Sequence, residues 1–118
     1  MTSVSVSAPG ATIHAVDEGS GPPIVLLHAG IADLRAWDAM APHLIAAGYR
    51  VIRYDQRSFG QTVTDDVEFS NRADVIAVMD ACGVGQAALV GNSRGGQIAI
   101  DTAIEYPDRI AALVGVGT

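Results

Sequence analysis

One stretch in the second half of the chain leaves few folds open. An apolar run from Gln86 to Val90 passes through Gly91-Asn92-Ser93-Arg94-Gly95-Gly96 into Arg94 to Tyr106. There Ile98, Ala99, Thr102 and Ala103 recur at helical spacing and Pro107 stops the pattern. A strand that turns this sharply into a helix holds the serine in a strained backbone conformation, and the residues two before and two after it must be small. Gly91 and Gly95 meet that requirement. The turn lifts the Ser93 hydroxyl above the carboxyl edge of a sheet and sets it at the amino end of the next helix. Backbone N–H groups and the helix dipole favour a developing oxyanion there. A bare G-x-S-x-G match is weak, since glycine and serine are common in turns; the flanking strand and helix make it specific.

The rest of the chain supplies the sheet such a turn needs. Val4 and Val6 alternate with serine, and Ala11 to Val16 follow the Pro9-Gly10 turn signal, which predicts an antiparallel hairpin. Ile24 to Leu27 and Arg50 to Tyr54 read as central strands, and Ile110 to Val116 as a last one. Leu34, Trp37, Ala41, Leu44 and Ile45 predict one helix over 34–47, ended by Gly48. A second spans Phe69 to Cys82, with Phe69, Ala73, Ile76, Ala77 and Asp80 turned inward and Gly83 at its end. Arg57 to Glu68 is the longest irregular stretch. Strands alternating with helices imply right-handed crossovers, so the expected fold is α/β, a three-layer αβα sandwich. Its sheet is mostly parallel, with about six strands and an antiparallel opening hairpin. Residues 1–118 form a single domain, with no internal repeat or long linker.

Composition narrows the function. Hydrophobic residues at 49% and charged residues at 17% suit a globular chain. All seven basic residues are arginine, scattered singly, and thirteen acidic residues bring the net charge to −6, which argues against nucleic acid as a partner. No apolar run reaches the roughly 20 residues that span a bilayer, and Met1 to Gly10 lacks a signal-peptide pattern, so no membrane partner and a cytoplasmic location are expected. Cys82, the lone cysteine, excludes an internal disulfide or thiolate cluster and reads as a small buried residue near a helix end. The three histidines have no metal-ligand spacing, and no cofactor or metal is called for.

A second motif, Leu27-His28-Ala29-Gly30-Ile31, follows the first central strand. A small residue there lets the loop fold back, so the N–H of Gly30 can reach the same point as the N–H of Arg94 and complete an oxyanion hole. His28 is expected to brace this loop by hydrogen bonding rather than act directly. Asp55 and Arg57 are expected to hold the loop after their strand through local hydrogen bonds and an ion pair. Trp37 and Phe59 read as packing residues whose rings border the pocket, and His14 and His43 as exposed or capping.

Taken together these features resemble the α/β-hydrolase family across essentially the whole chain. The resemblance rests on four motifs in family order and spacing. They are His28-Ala29-Gly30 with Trp37 downstream, Tyr54-Asp55-Gln56-Arg57-Ser58-Phe59-Gly60, the turn at Gly91 to Gly96, and Tyr106-Pro107-Asp108-Arg109. The family usually has His-Gly where this chain has His28-Ala29, and Arg-Gly where it has Arg57-Ser58. The segment Asp33-Leu34-Arg35-Ala36-Trp37 looks most like the lactonase, esterase and carbon–carbon hydrolase branches. The epoxide hydrolase and haloalkane dehalogenase branches place an aspartate where Ser93 stands.

The resemblance implies a serine hydrolase acting on a small-molecule ester, lactone or related carbonyl substrate, with Ser93 as nucleophile. It also implies a truncated fold, the amino-terminal part of the core without lid or last two strands. In the family the acid and then the histidine follow the serine, yet no histidine occurs beyond His43. The chain alone is therefore expected to be nearly inactive, awaiting a missing half, a second chain, or a homodimer across the Ile110 to Val116 edge. The rival expectation is a non-catalytic truncated or split scaffold that binds a partner chain along that open edge. A dinucleotide-binding domain fits less well, because the turn lacks G-x-G-x-x-G spacing.

Overall fold

Apolar residues that alternate along the strands sort onto two faces, and that sorting builds the fold. A computed structural model describes residues 2–64 and 69–117. The strands are β1 (Thr2–Ala8), β2 (Ala11–Glu18), β3 (Pro23–Leu27), β4 (Arg50–Tyr54), β5 (Val63–Thr64), β6 (Ala87–Asn92) and β7 (Ile110–Val116). The α-helices are α1 (Ala41–Ala46), α2 (Asn71–Ala81) and α3 (Arg94–Glu105). The sheet order is β1-β2-β4-β3-β6-β7. β3 lies parallel to β4 and β6, and β6 parallel to β7, whereas β1, β2 and β4 pair antiparallel.

On one face Val25, Leu27, Ile52 and Tyr54 pack with Val75, Val78 and Met79 of α2 and with Ile98 and Ala99 of α3. On the other, Ile24, Leu26 and Val51 pack with Trp37 and Ala41. Burying side chains on both faces of β3 and β4 gives the three layers their common core. The expected α/β sandwich, its opening hairpin and its mostly parallel sheet are all present.

Three expectations are corrected. The single helix over 34–47 is two pieces, a 3₁₀ turn at Leu34–Trp37 and then α1. The Asp33 carboxylate caps the turn by accepting from the Arg35 N–H, and Pro42 in the first turn of α1 cannot continue a helix running in from Leu34, because it lacks an N–H and crowds the carbonyl four residues back. The second helix begins at Asn71, capped by the Ser70 hydroxyl, so Phe69 lies outside it. Its inward face is also rotated: Asp74, Val75, Val78 and Met79 are buried, while Asp80 points out to Arg109 at 2.6 Å. A charged residue faces the core because a buried cation, Arg57, meets it there.

The stretch read as irregular over 57–68 contains β5, whose two residues lie antiparallel to Ala11 and Thr12, on the part of β2 that β4 leaves free. That makes seven strands rather than about six. Residues 65–68 of the same stretch lie outside the described residues. No helix among the described residues is long and apolar enough to cross a membrane.

Candidate active site

β6 feeds α3 through a single residue, Ser93, whose backbone sits at φ 54 and ψ −113. A left-handed φ is uncommon for a residue with a Cβ and is held only where its surroundings fix it. They do so here on three sides. The Ser93 N–H donates to the Val116 carbonyl of β7 at 2.9 Å, and its carbonyl accepts from the Gln97 N–H at 3.1 Å to begin α3. The glycines do the rest: a Cβ on Gly91 would collide with the Gly95 carbonyl, and one on Gly95 with the carbonyls of Leu27 and His28. Only glycines at both positions let the start of α3 press against the end of β3. The Ser93 side is left exposed.

That approach sets the loop after β3 beside the serine. His28 is fully buried, and its Nε2 accepts from the Gln56 N–H at 2.9 Å. The ring proton therefore sits on Nδ1, which donates to the Ala29 carbonyl at 2.7 Å. The Gln56 amide answers by donating to the His28 carbonyl at 2.6 Å. With its NH₂ turned that way, the Gln56 Oε1 faces Arg94 and accepts from its Nε at 3.1 Å. The Arg94 stem lies across Gly30, where a Cβ would stand 3.0 Å from Arg94 Cδ. Phe59 closes this side, edge-on to His28 with centroids 5.5 Å apart and 5.9 Å from the Arg94 guanidinium.

Ser93, Gly30, Arg94 and His28 thus lie beside one another, at the ends of β3 and β6 and the start of α3. Gln56, which links three of these segments, is the residue sequence reasoning missed; its one signal was a polar side chain at the end of an apolar strand. Trp37, expected to border the pocket, is buried in the cluster on the other sheet face. His14 lies half-buried on β2, and His43 is exposed on α1.

The carboxylate and the cation after β4 hold the surrounding loops. Asp55 accepts from the N–H groups of Leu34 and Gln61, each at 2.8 Å. Arg57 reaches to α2 instead of making a local pair: its Nε and Nη2 grip Asp74 at 2.7 and 3.0 Å, and its guanidinium stacks on Phe69 at 4.5 Å. At the rim, hydrogen bonds from the Arg35 side chain and N–H hold the Asp33 carboxyl down to about 2. A cavity of about 380 Å³ opens between the start of α2 and α3, lined among others by Ser70, Arg72, Arg94, Gln97 and Asp101.

Comparison with known proteins agrees with this architecture. A family model described as the alpha/beta hydrolase fold matches residues 22–118. Epoxide hydrolase B of Mycobacterium tuberculosis (strain ATCC 25618 / H37Rv) is 37% identical over 116 residues, which cover 91% of this chain and 33% of that protein. The 2-hydroxy-6-oxo-6-phenylhexa-2,4-dienoate hydrolase of Burkholderia cepacia is 37% identical over 112 residues, 89% of this chain and 39% of that protein. Among solved structures, Epoxide Hydrolase A from Mycobacterium thermoresistibile superposes with a TM-score of 0.89 at 30% identity, over 97% of this chain and 38% of that one. The chain thus spans less than two-fifths of the length of these relatives. From the Ser93 turn, the sheet order and these matches together, the chain belongs to the α/β-hydrolase family.

Proposed function

We propose that the protein is a serine hydrolase in which Ser93 attacks the carbonyl of an ester, lactone or related small molecule. The observation that carries this reading is the left-handed backbone of Ser93, held between β6 and α3 by glycines and by the bond to Val116. The Ser93 Oγ adds to the carbonyl carbon as its proton passes to a base. The N–H groups of Gly30 and Arg94 hold the resulting oxyanion, and collapse expels the leaving group and leaves an acyl-serine that water hydrolyses. His28 serves as a brace for the Gly30 loop, since both of its ring nitrogens are already engaged. In this reading the histidine base and its acid come from outside residues 1–118, on a further segment or a second chain. No metal or cofactor enters the chemistry, and the single cysteine suits a cytoplasmic setting.

Epoxide hydrolases among the relatives raise a choice of electrophile. A serine that opened an epoxide would form an ether, which water does not cleave, whereas addition to a carbonyl gives an ester, which it does. The serine therefore favours a carbonyl, and the oxo group in the name of the Burkholderia cepacia relative is one.

A fluorophosphonate probe tests the reading. Without a base, the oxyanion hole and binding alone leave only about 10³ to 10⁴ over water, so labelling is slow. Intact mass should show a single adduct, lost in Ser93→Ala, that forms faster when imidazole is added as a substitute base. Adducts spread over other serines, or labelling that persists in Ser93→Ala, would overturn the assignment. The rival reading, a scaffold that binds through β7, draws support from the exposure of Leu113, Val114 and Val116. It predicts a stoichiometric partner chain and no selective reaction at Ser93.

A further inference from the structure

Among the described residues, every arginine but one has a carboxylate partner. Arg35, Arg50, Arg53, Arg57, Arg72 and Arg109 each pair with an aspartate or glutamate. Arg94 has no carboxylate partner among the described residues, and its single hydrogen bond there runs from Nε to the neutral Gln56 Oε1 at 3.1 Å. In a chain of net charge −6, an arginine with no counter-ion among the described residues, beside the proposed nucleophile, is conspicuous.

The guanidinium is also aimed. A surface arginine usually samples many rotamers, which makes it a poor recognition group until it is ordered. Here its stem is laid across Gly30, where the missing Cβ makes room, and its Nε is fixed by a glutamine amide whose own orientation is set by the His28 carbonyl. Phe59 stands 5.9 Å behind it. The two terminal nitrogens remain as donors in a planar fork, the shape that grips a carboxylate through two parallel hydrogen bonds. Asp101, the other charge on α3 facing the adjoining cavity, is held by Gln97 at 3.3 Å and lies two turns away. A second negative charge on the ligand would meet it, which favours a carboxylate over a phosphate.

We propose that Arg94 is a specificity-determining residue whose side chain binds a carboxylate on the substrate, so that the protein selects acidic esters or lactones over neutral ones. The proposal rests on Ser93 being the nucleophile, and it gives the two groups of one residue separate tasks: the Arg94 N–H holds the oxyanion while its guanidinium holds the far end of the substrate.

The test compares p-nitrophenyl hydrogen glutarate with its methyl ester, in imidazole, following p-nitrophenolate release and the mass of the acyl-protein. The acidic ester should acylate Ser93 faster by about tenfold, the size of a charge-assisted hydrogen-bonded pair. Arg94→Met should bring the ratio of the two rates close to one, and Arg94→Lys should restore part of it. A ratio that is unchanged in Arg94→Met overturns the proposal; because each variant is read as a ratio, a general loss of rate divides out. Binding of glutarate followed by NMR supplies a readout independent of chemistry. It should persist in Ser93→Ala and vanish when Arg94→Met is added. If neither ester acylates Ser93 but glutarate binding depends on Arg94, the nucleophile assignment fails and the carboxylate site stands. Glutarate binding that survives Arg94→Met, or tighter binding of inorganic phosphate than of glutarate, overturns the carboxylate site itself.

Discussion

His28 and Gln56 hold each other by two opposed hydrogen bonds, backbone N–H to ring at 2.9 Å and side-chain amide to carbonyl at 2.6 Å. The pair locks the end of β3 to the end of β4, and both residues are almost fully buried. Replacing Gln56 with leucine leaves the His28 carbonyl without its donor and Arg94 without its acceptor. A buried polar group stripped of its partner costs about 1–3 kcal/mol, so Gln56→Leu should lose about 2 kcal/mol in urea-induced unfolding. An unchanged midpoint would show the tie to be dispensable.

Ser93 carries a backbone strain that the proposed chemistry needs and stability does not. Glycine adopts φ 54 without penalty, so Ser93→Gly should raise stability by about 1 kcal/mol while abolishing labelling by the fluorophosphonate. Gly95→Ala should act in the opposite sense, because its new methyl group meets backbone carbonyls of β3 and its end, which cannot step aside. Thermal unfolding of the two variants beside the parent chain checks both signs.

The Arg57–Asp74 pair is buried on both sides, with side-chain exposures of 2% and 6%. Removing one partner strands the other charge away from water, and Asp74→Asn should cost about 3–5 kcal/mol. Replacing both with apolar residues, as in Arg57→Met with Asp74→Leu, should cost much less than the single change. A double replacement as damaging as the single one would mean that the pair also fixes the path of the chain between β4 and α2.

Burial pushes the Cys82 thiol above its ordinary value, so the folded protein keeps this proton at a pH where the unfolded chain has begun to lose it. Stability from this group is accordingly intact below the ordinary thiol value and falls as pH rises through it. Iodoacetamide at pH 9 should alkylate Cys82 more slowly in the native protein than in urea. Equal rates would show the thiolate to be as accessible folded as unfolded.

Much of this was legible before any coordinates. Punctuation by Pro9-Gly10, Gly83 and Pro107, and unbroken apolar runs between such signals, place β1, β2, β3, β4, β6, β7 and α3 to within a residue or two. What escaped depends on partners distant in sequence. Asp74 could be read as an inward-facing residue of α2 only once Arg57, 17 positions earlier, was known to be buried against it. Gln56 shows locally no more than a polar side chain at the end of an apolar strand, because its importance comes from meeting His28 and Arg94 across 28 and 38 positions. β5 is two residues long and exists only where β2 has a free stretch of edge. The tight turn at Ser93 and the loop after His28 were visible because their glycines are local demands of the backbone, not products of packing.

The bond from the Ser93 N–H to the Val116 carbonyl makes the outermost strand a gauge for the proposed nucleophile. Slipping β7 by one residue would offer Ser93 the amide plane of a neighbour and turn over every side chain of that strand. The alignment of a strand bearing no reacting group is therefore written into where the hydroxyl stands, and whatever lies against the far side of β7 holds a lever on the serine.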